Sequence, residues 1–111
     1  MDNEEAGLVA QDLEPLVGLF RLLSDKTRLN ILRILAKGER NVSSLCEELG
    51  LPQPTVSHHL GLLRMNNIIG SRRSGKQVFY GVNGRIDSGE GNQMSISVER
   101  YTVRIAAHQQ A

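Results

Sequence analysis

The chain has 111 residues, with 13 Lys/Arg against 12 Asp/Glu, one cysteine and a formal net charge of +1. That length supports a single domain around one modest core, and a lone thiol excludes an internal disulfide framework. The apolar runs are short and broken by charge, and the opening MDNEEAGLVAQDLE is acidic, so no membrane span or secretory signal is expected and the expected location is cytoplasmic.

The charge is unevenly spread. Residues 1–23 hold Asp2, Glu4, Glu5, Asp12 and Glu14 against Arg21 alone, whereas residues 24–81 hold nine Lys/Arg and four Asp/Glu. From Leu49 to Ile86 there is no acid, but Arg64, Arg72, Arg73, Lys76 and Arg85 are present. Such a stretch attracts a polyanion such as DNA.

Residues 8–23 place Leu13, Leu16, Val17, Phe20 and Leu23 at helical spacing, and Pro15 starts or kinks that helix. Its apolar surface is too wide for a helix packing on one small core. Ser24 fits an N-cap for a second helix over 25–37, whose apolar side is Leu29, Ile31, Leu32, Ile34 and Leu35, with Gly38 as its stop. Asn41 or Ser43 can cap a third helix, roughly 43–49, that turns Leu45, Cys46 and Leu49 inward and ends at Gly50. A fourth helix is expected from Pro54, whose missing N–H suits a first turn, to about Asn66, with Val56, His59, Leu60 and Leu63 inward.

IIGSRR and QVFYGV then read as two strands around a Ser74-Gly75 turn. GRIDSGEGN reads as a loop. In the tail Met94, Ile96 and Val98, then Tyr101, Val103 and Ile105, alternate with polar residues, which gives two short strands around Glu99-Arg100 or one long strand. The expected fold is mainly α with a small β-hairpin wing, a winged helix-turn-helix with an extra strand pair at the C-terminus. It is one domain over 1–111, divided into 1–23, a core and wing over 24–83, and a loop and strand-like tail over 84–111.

With Val56, Leu60 and Leu63 inward, the fourth helix turns Pro54, Ser57, His58 and Gly61 outward, flanked by Thr55 and with Gln53 at its N-terminal end. These groups are small or polar and carry no acid. Gln pairs bidentately with adenine, Ser and Thr bond either kind of base edge, and a helix N-terminus favours phosphate. His58 is either a DNA contact or simply solvent-exposed. His59, about 100° away on the helix, reads as a partly buried, hydrogen-bonded core histidine that cannot easily share a metal with it. Arg72, Arg73 and Lys76 around the hairpin tip would reach phosphates, which sets affinity and register rather than sequence preference. The DNA-contact candidates are therefore Gln53, Thr55, Ser57, His58, Arg72, Arg73 and Lys76.

From Leu23 to Asn83 the chain resembles the ArsR/SmtB family of bacterial repressors. The resemblance rests on Leu-x-Asp-x-x-Arg-x-x-Ile-Leu at Leu23 to Leu32, Thr-Val-Ser-x-His-Leu at Thr55 to Leu60, and Gly-Lys-x-Val-x-Tyr at Gly75 to Tyr80. It implies a dimeric repressor that binds double-stranded DNA at a palindromic operator and releases it when an effector binds. It also implies a dimer built by the first helix and the C-terminal element, which places Leu13, Leu16, Val17 and Phe20 in the interface.

Two features depart from the family. The positions where one sensor type carries Cys-x-Cys fall on Asn41 and Ser43, and the tail, with His108 alone, does not read as the helix that carries carboxylate and imidazole ligands in another type. Neither metal site is expected, nor any cofactor. Cys46 reads as a small apolar residue on the third helix. The strand-like tail either covers the first helix or pairs across the dimer. The other functional reading is a winged-helix module for protein–protein contact within a regulatory assembly. No catalytic arrangement is visible, and GSRRSGK lacks the spacing of a phosphate loop, so an enzyme is not expected.

Overall fold

A computed structural model describes residues 12–88 and 93–108. Helix α1 (Glu14–Leu23) begins with Pro15 in its first turn, so the proline starts the helix rather than kinking it. Residues 8–11, part of the segment expected to be helical, lie outside the described residues. Helix α2 (Lys26–Leu35) is capped by Asp25, whose carboxylate accepts the Arg28 N–H at 3.0 Å; Ser24, the expected cap, instead closes α1. The carboxylate is the better choice, because the N-terminal end of a helix carries partial positive charge. Helix α2 stops at Leu35, before Gly38.

Asn41 caps α3 (Val42–Leu49) by accepting from the Ser44 N–H at 2.8 Å. Gly50 ends this helix in the left-handed region at φ 68°, where a side chain would be strained. Both Gly50 and Leu51 donate back to the Cys46 carbonyl, at 2.8 and 3.2 Å. The chain thereby reverses over Gly50–Pro52 and enters α4 (Gln53–Met65) with Pro54 in its first turn.

Two antiparallel sheets follow, each one strand larger than the sequence pattern suggests. The wing hairpin β2 (Ile69–Ser74) and β3 (Gln77–Val82) is joined by β1 (Arg40–Asn41) in the order β1-β3-β2. The tail hairpin β5 (Gln93–Val98) and β6 (Tyr101–Ala106) is joined by β4 (Ile86–Asp87) in the order β4-β5-β6. Ser74 pairs with Gln77, so the wing turn is Gly75-Lys76 rather than Ser74-Gly75. Gly75, at φ 64°, takes the first central position that a two-residue hairpin turn reserves for glycine. The tail forms two strands turning at Glu99-Arg100, paired within the chain.

One core joins these parts. Ile31, Leu32, Ile34 and Leu35 of α2, Leu45 of α3, Val56, Leu60 and Leu63 of α4, and Ile68 and Ile69 at the start of the wing are buried together. Each such side chain contributes about 1.5–3 kcal/mol by leaving water. Leu19 and Leu23 of α1 extend that core to Ile86 and Ile96 of the C-terminal sheet, so β5 packs on α1. Among the described residues no helix is long and apolar enough to cross a membrane.

Candidate nucleic-acid interface

Helix α4 is anchored from behind and open in front. Val56, Leu60 and Leu63 face the core with at most 1% exposure, while Gln53, Pro54, Thr55, Ser57, His58 and Gly61 are exposed. This is the partition that the helical period predicts, with three inward residues within two turns. No side chain caps the N-terminus of α4. Gln53, Thr55, Ser57 and His58 are thus all accessible at the N-terminal half of the helix, and the C-terminal sheet, packed on α1, leaves them uncovered.

Behind that surface lies a hydrogen-bonded node that sequence reasoning saw only in part. His59 is half-buried on α4, as expected, and its partner is Arg28 of α2: Nη1 of Arg28 lies 3.2 Å from His59 Nδ1. Nε of the same guanidinium donates to the Leu22 carbonyl at 2.6 Å. Asp25 lies 4.0 Å from both Arg28 Nη1 and His59 Nδ1. One arginine therefore ties the end of α1, the start of α2 and the middle of α4. The Asp25 carboxyl is held below its ordinary value, chiefly by the Arg28 backbone N–H, against partial burial and with further help from His59 and the Arg28 charge. The Asp-x-x-Arg spacing exposes the first half of this node in the sequence. His59, 31 residues beyond Arg28, comes only from the fold.

The wing does not present its three cations alike. Successive residues on a strand point to opposite faces, so Arg73 shares a face with buried Ile69 while Arg72 lies on the other. On that other face Nε of Arg72 donates to both oxygens of Glu39, at 2.9 and 3.1 Å, and Nη2 lies 2.8 Å from Oε1. The guanidinium also stacks 5.1 Å from the ring centroid of Phe79, its cross-strand partner. Glu39 raises Arg72 above the ordinary guanidinium value by hydrogen bonding first and by charge second. It is held in place by the segment before β1 and lies over Gly81, where a Cβ would stand 3.0 Å from the Glu39 Cγ. Arg73 and Lys76 are exposed, and among the described residues no acid is seen in such contact with them. Glu39 escaped sequence reasoning because it reaches Arg72 across 33 residues.

Of the expected apolar stripe of α1 only Leu23 is buried, and the other buried residue of this helix, Leu19, lies outside that stripe. Leu13 and Leu16 are half-buried, and Val17 and Phe20 remain 37% and 51% exposed. Cys46 is half-buried against the core. Among the described residues no group of three or more His, Cys, Asp or Glu side chains is placed to hold a metal ion.

A reversed pair of helices, the second with a polar accessible face, followed by a basic hairpin, defines a winged helix-turn-helix transcriptional regulator. Residues 25–71 match the family model described as bacterial regulatory protein, arsR family. The chain is 45% identical over 64 residues to the HTH-type transcriptional regulator KmtR of Mycobacterium tuberculosis, a match covering 58% of this chain and 49% of that one. It thus spans about half the length of that relative. It is 36% identical over 83 residues to the biofilm growth-associated repressor of Xylella fastidiosa, covering 71% of this chain and 73% of that one. Among solved structures it is similar to a homodimeric winged helix-turn-helix DNA-binding domain from Mycobacterium bovis, with TM-score 0.61, 29% identity and coverage of 71% and 76%. The protein belongs to the ArsR family of transcriptional regulators.

Proposed function

We propose that the protein is a cytoplasmic repressor that grips a palindromic operator as a homodimer, one α4 in the major groove of each half-site. The observation that carries this reading is the open, acid-free flank of α4 at Gln53, Thr55, Ser57 and His58. Base edges are reached by Gln53 and Ser57, whose amide and hydroxyl groups match adenine and either base type. Arg73 and Lys76 contact phosphates, while Arg72 must first leave Glu39 to do so. The paired protomers meet through Leu13, Leu16, Val17 and Phe20. A palindromic site read in this way requires the two reading helices to lie about 34–36 Å apart, one turn of the duplex. The same flank disfavours a module built for protein contact, because it offers no large apolar anchor.

The test is binding to random duplex and to the duplex that the chain selects from a random pool, each at two salt concentrations. A sequence preference and a steep salt slope are expected. Replacing Gln53 or Ser57 by Ala should cost about 1–3 kcal/mol and relax the preference at one base pair per half-site. An unaltered preference in both variants would mean that α4 does not read the bases, and no binding at low salt would remove DNA as the partner.

A further inference from the structure

The C-terminal sheet is longer than the helix it covers. On its inward face Ile96 joins the core and Met94, Val98 and Val103 pack against it, while Met94 and Ile105, paired across β5 and β6, also line a groove that runs along α2. The groove, of 740 Å³, is walled by Leu23, Leu29 and Ala36 on one side and by Met94 and Ile105 on the other. That volume falls within the range of small-molecule sites, about 300–1,000 Å³. Leu29 and Ile105 are 37% and 38% exposed, so this apolar surface faces the groove rather than the core. The α1 residues proposed to pair the protomers do not line it, which makes groove and dimer stripe separate surfaces.

Among the described residues that line the groove, cations outnumber acids three to one. Lys26 in the first turn of α2, Arg33 in its last turn and Lys37 just beyond its end border it. The acid among its lining residues, Asp25, is already committed as the cap of α2. An apolar trough under three cations suits a ligand with a hydrocarbon or aromatic body and a negative head. Asp25 also belongs to the node that touches α4, through Arg28 and His59. We propose that the groove binds an amphipathic organic carboxylate and that binding is relayed to the reading helix through Asp25. The relay rests on the DNA-reading role proposed above; the ligand site does not. A ligand that displaces Asp25 loosens the node that orients α4, so it favours an arrangement less suited to the duplex, and that difference in affinity shifts the DNA equilibrium.

The site is tested by isothermal titration calorimetry with octanoate and, as its uncharged counterpart, 1-octanol. Saturable binding of one octanoate per chain is expected. Leu29→Trp, which fills the trough, should abolish it. Arg33→Glu, at an exposed side chain bonded to Asn30, should weaken octanoate at least tenfold and leave octanol unchanged. Circular dichroism checks that both variants fold, and Arg33→Glu serves alone if the tryptophan does not fit. Absence of saturable binding, or binding indifferent to both variants, overturns the site. The relay is tested on the duplex selected by the wild type. Saturating octanoate should weaken wild-type binding about tenfold and change His59→Leu binding far less. Octanoate bound with duplex affinity unmoved overturns the relay, while DNA reading is judged separately from the duplex titration without octanoate.

Discussion

Replacing Arg28 by Ala tests the node that joins three helices. The Arg28 side chain is 14% exposed, and its guanidinium donates to the Leu22 carbonyl at 2.6 Å and meets His59 Nδ1 at 3.2 Å. Removal strands two partly buried acceptors, and a hydrogen bond involving a charged group is worth about 1.5–3 kcal/mol net. Allowing for water reaching the vacated space, the loss should be about 3 kcal/mol, a large share of the 5–15 kcal/mol typical of a domain. At roughly 4 °C per kcal/mol for a chain of this size, the midpoint should fall by about 12 °C. The assay is thermal unfolding followed by far-ultraviolet circular dichroism at one fixed protein concentration, because dimerisation makes the midpoint depend on concentration. Arg28→Lys should fall between, since a single ammonium cannot keep the planar fork that serves both acceptors. A loss under about 1 kcal/mol for the alanine variant would show that water solvates Leu22 and His59 adequately, and the node would not be what holds α4 to α1.

Arg73→Ala should weaken binding to all duplexes about equally and lower the salt slope by about one unit, whereas Arg72→Ala should lower it less because Glu39 already offsets that charge; equal slopes for Arg73→Ala and the wild type would place the wing off the DNA. Phe20→Glu should raise the dimer dissociation constant at least tenfold, about 1.4 kcal/mol, which analytical ultracentrifugation reads directly; an unchanged constant would put the interface elsewhere. Asp25 has a folded-state value below 3.8, so its contribution is complete above the unfolded value and fades as the pH falls through the folded one. Asp25→Asn should therefore be less stable than the wild type at neutral pH, with the gap closing below about pH 4, in denaturant titrations repeated across pH; a gap constant with pH would deny the carboxylate that role.

What was legible in the sequence were the features set by neighbours along the chain. The stripe Val56, Leu60 and Leu63 fixes which side of α4 is buried, and Gly50 before Pro52 fixes the break that aims it. The alternation on either side of Glu99-Arg100 shows the tail strands but leaves one long strand as open as a hairpin, and pairing within the chain decides it. Features resting on distant partners were hidden. Strands β1 and β4 have two residues each, too few for any period to register, and they exist because β3 and β5 offer them an edge. The cation cluster Arg72, Arg73 and Lys76 looked like one patch, yet strand alternation and Glu39 split it into a masked member and two free of that contact. The cap moved from Ser24 to Asp25 because an anion at that position also serves Arg28 and His59, a gain that a one-dimensional pattern cannot register.

Helix α2 is the element that borders the groove and also touches α1 and α4. One side of it, with Ile31, Leu32, Ile34 and Leu35, is packed into the core against α4, and its first turn holds Arg28 in contact with α1 and α4. Its outer side, with Leu29 and Arg33, borders the groove under the C-terminal sheet. A packed core does not deform smoothly, so pressure from the groove is not absorbed in the leucine-rich side of α2. The polar junction at Asp25 is the softer point, because hydrogen bonds there can exchange with solvent while buried methyl groups have nowhere to go. Under the proposed relay, a ligand in the groove would therefore act on α4 by altering how α1, α2 and α4 are pinned together at Arg28, not by covering α4 itself.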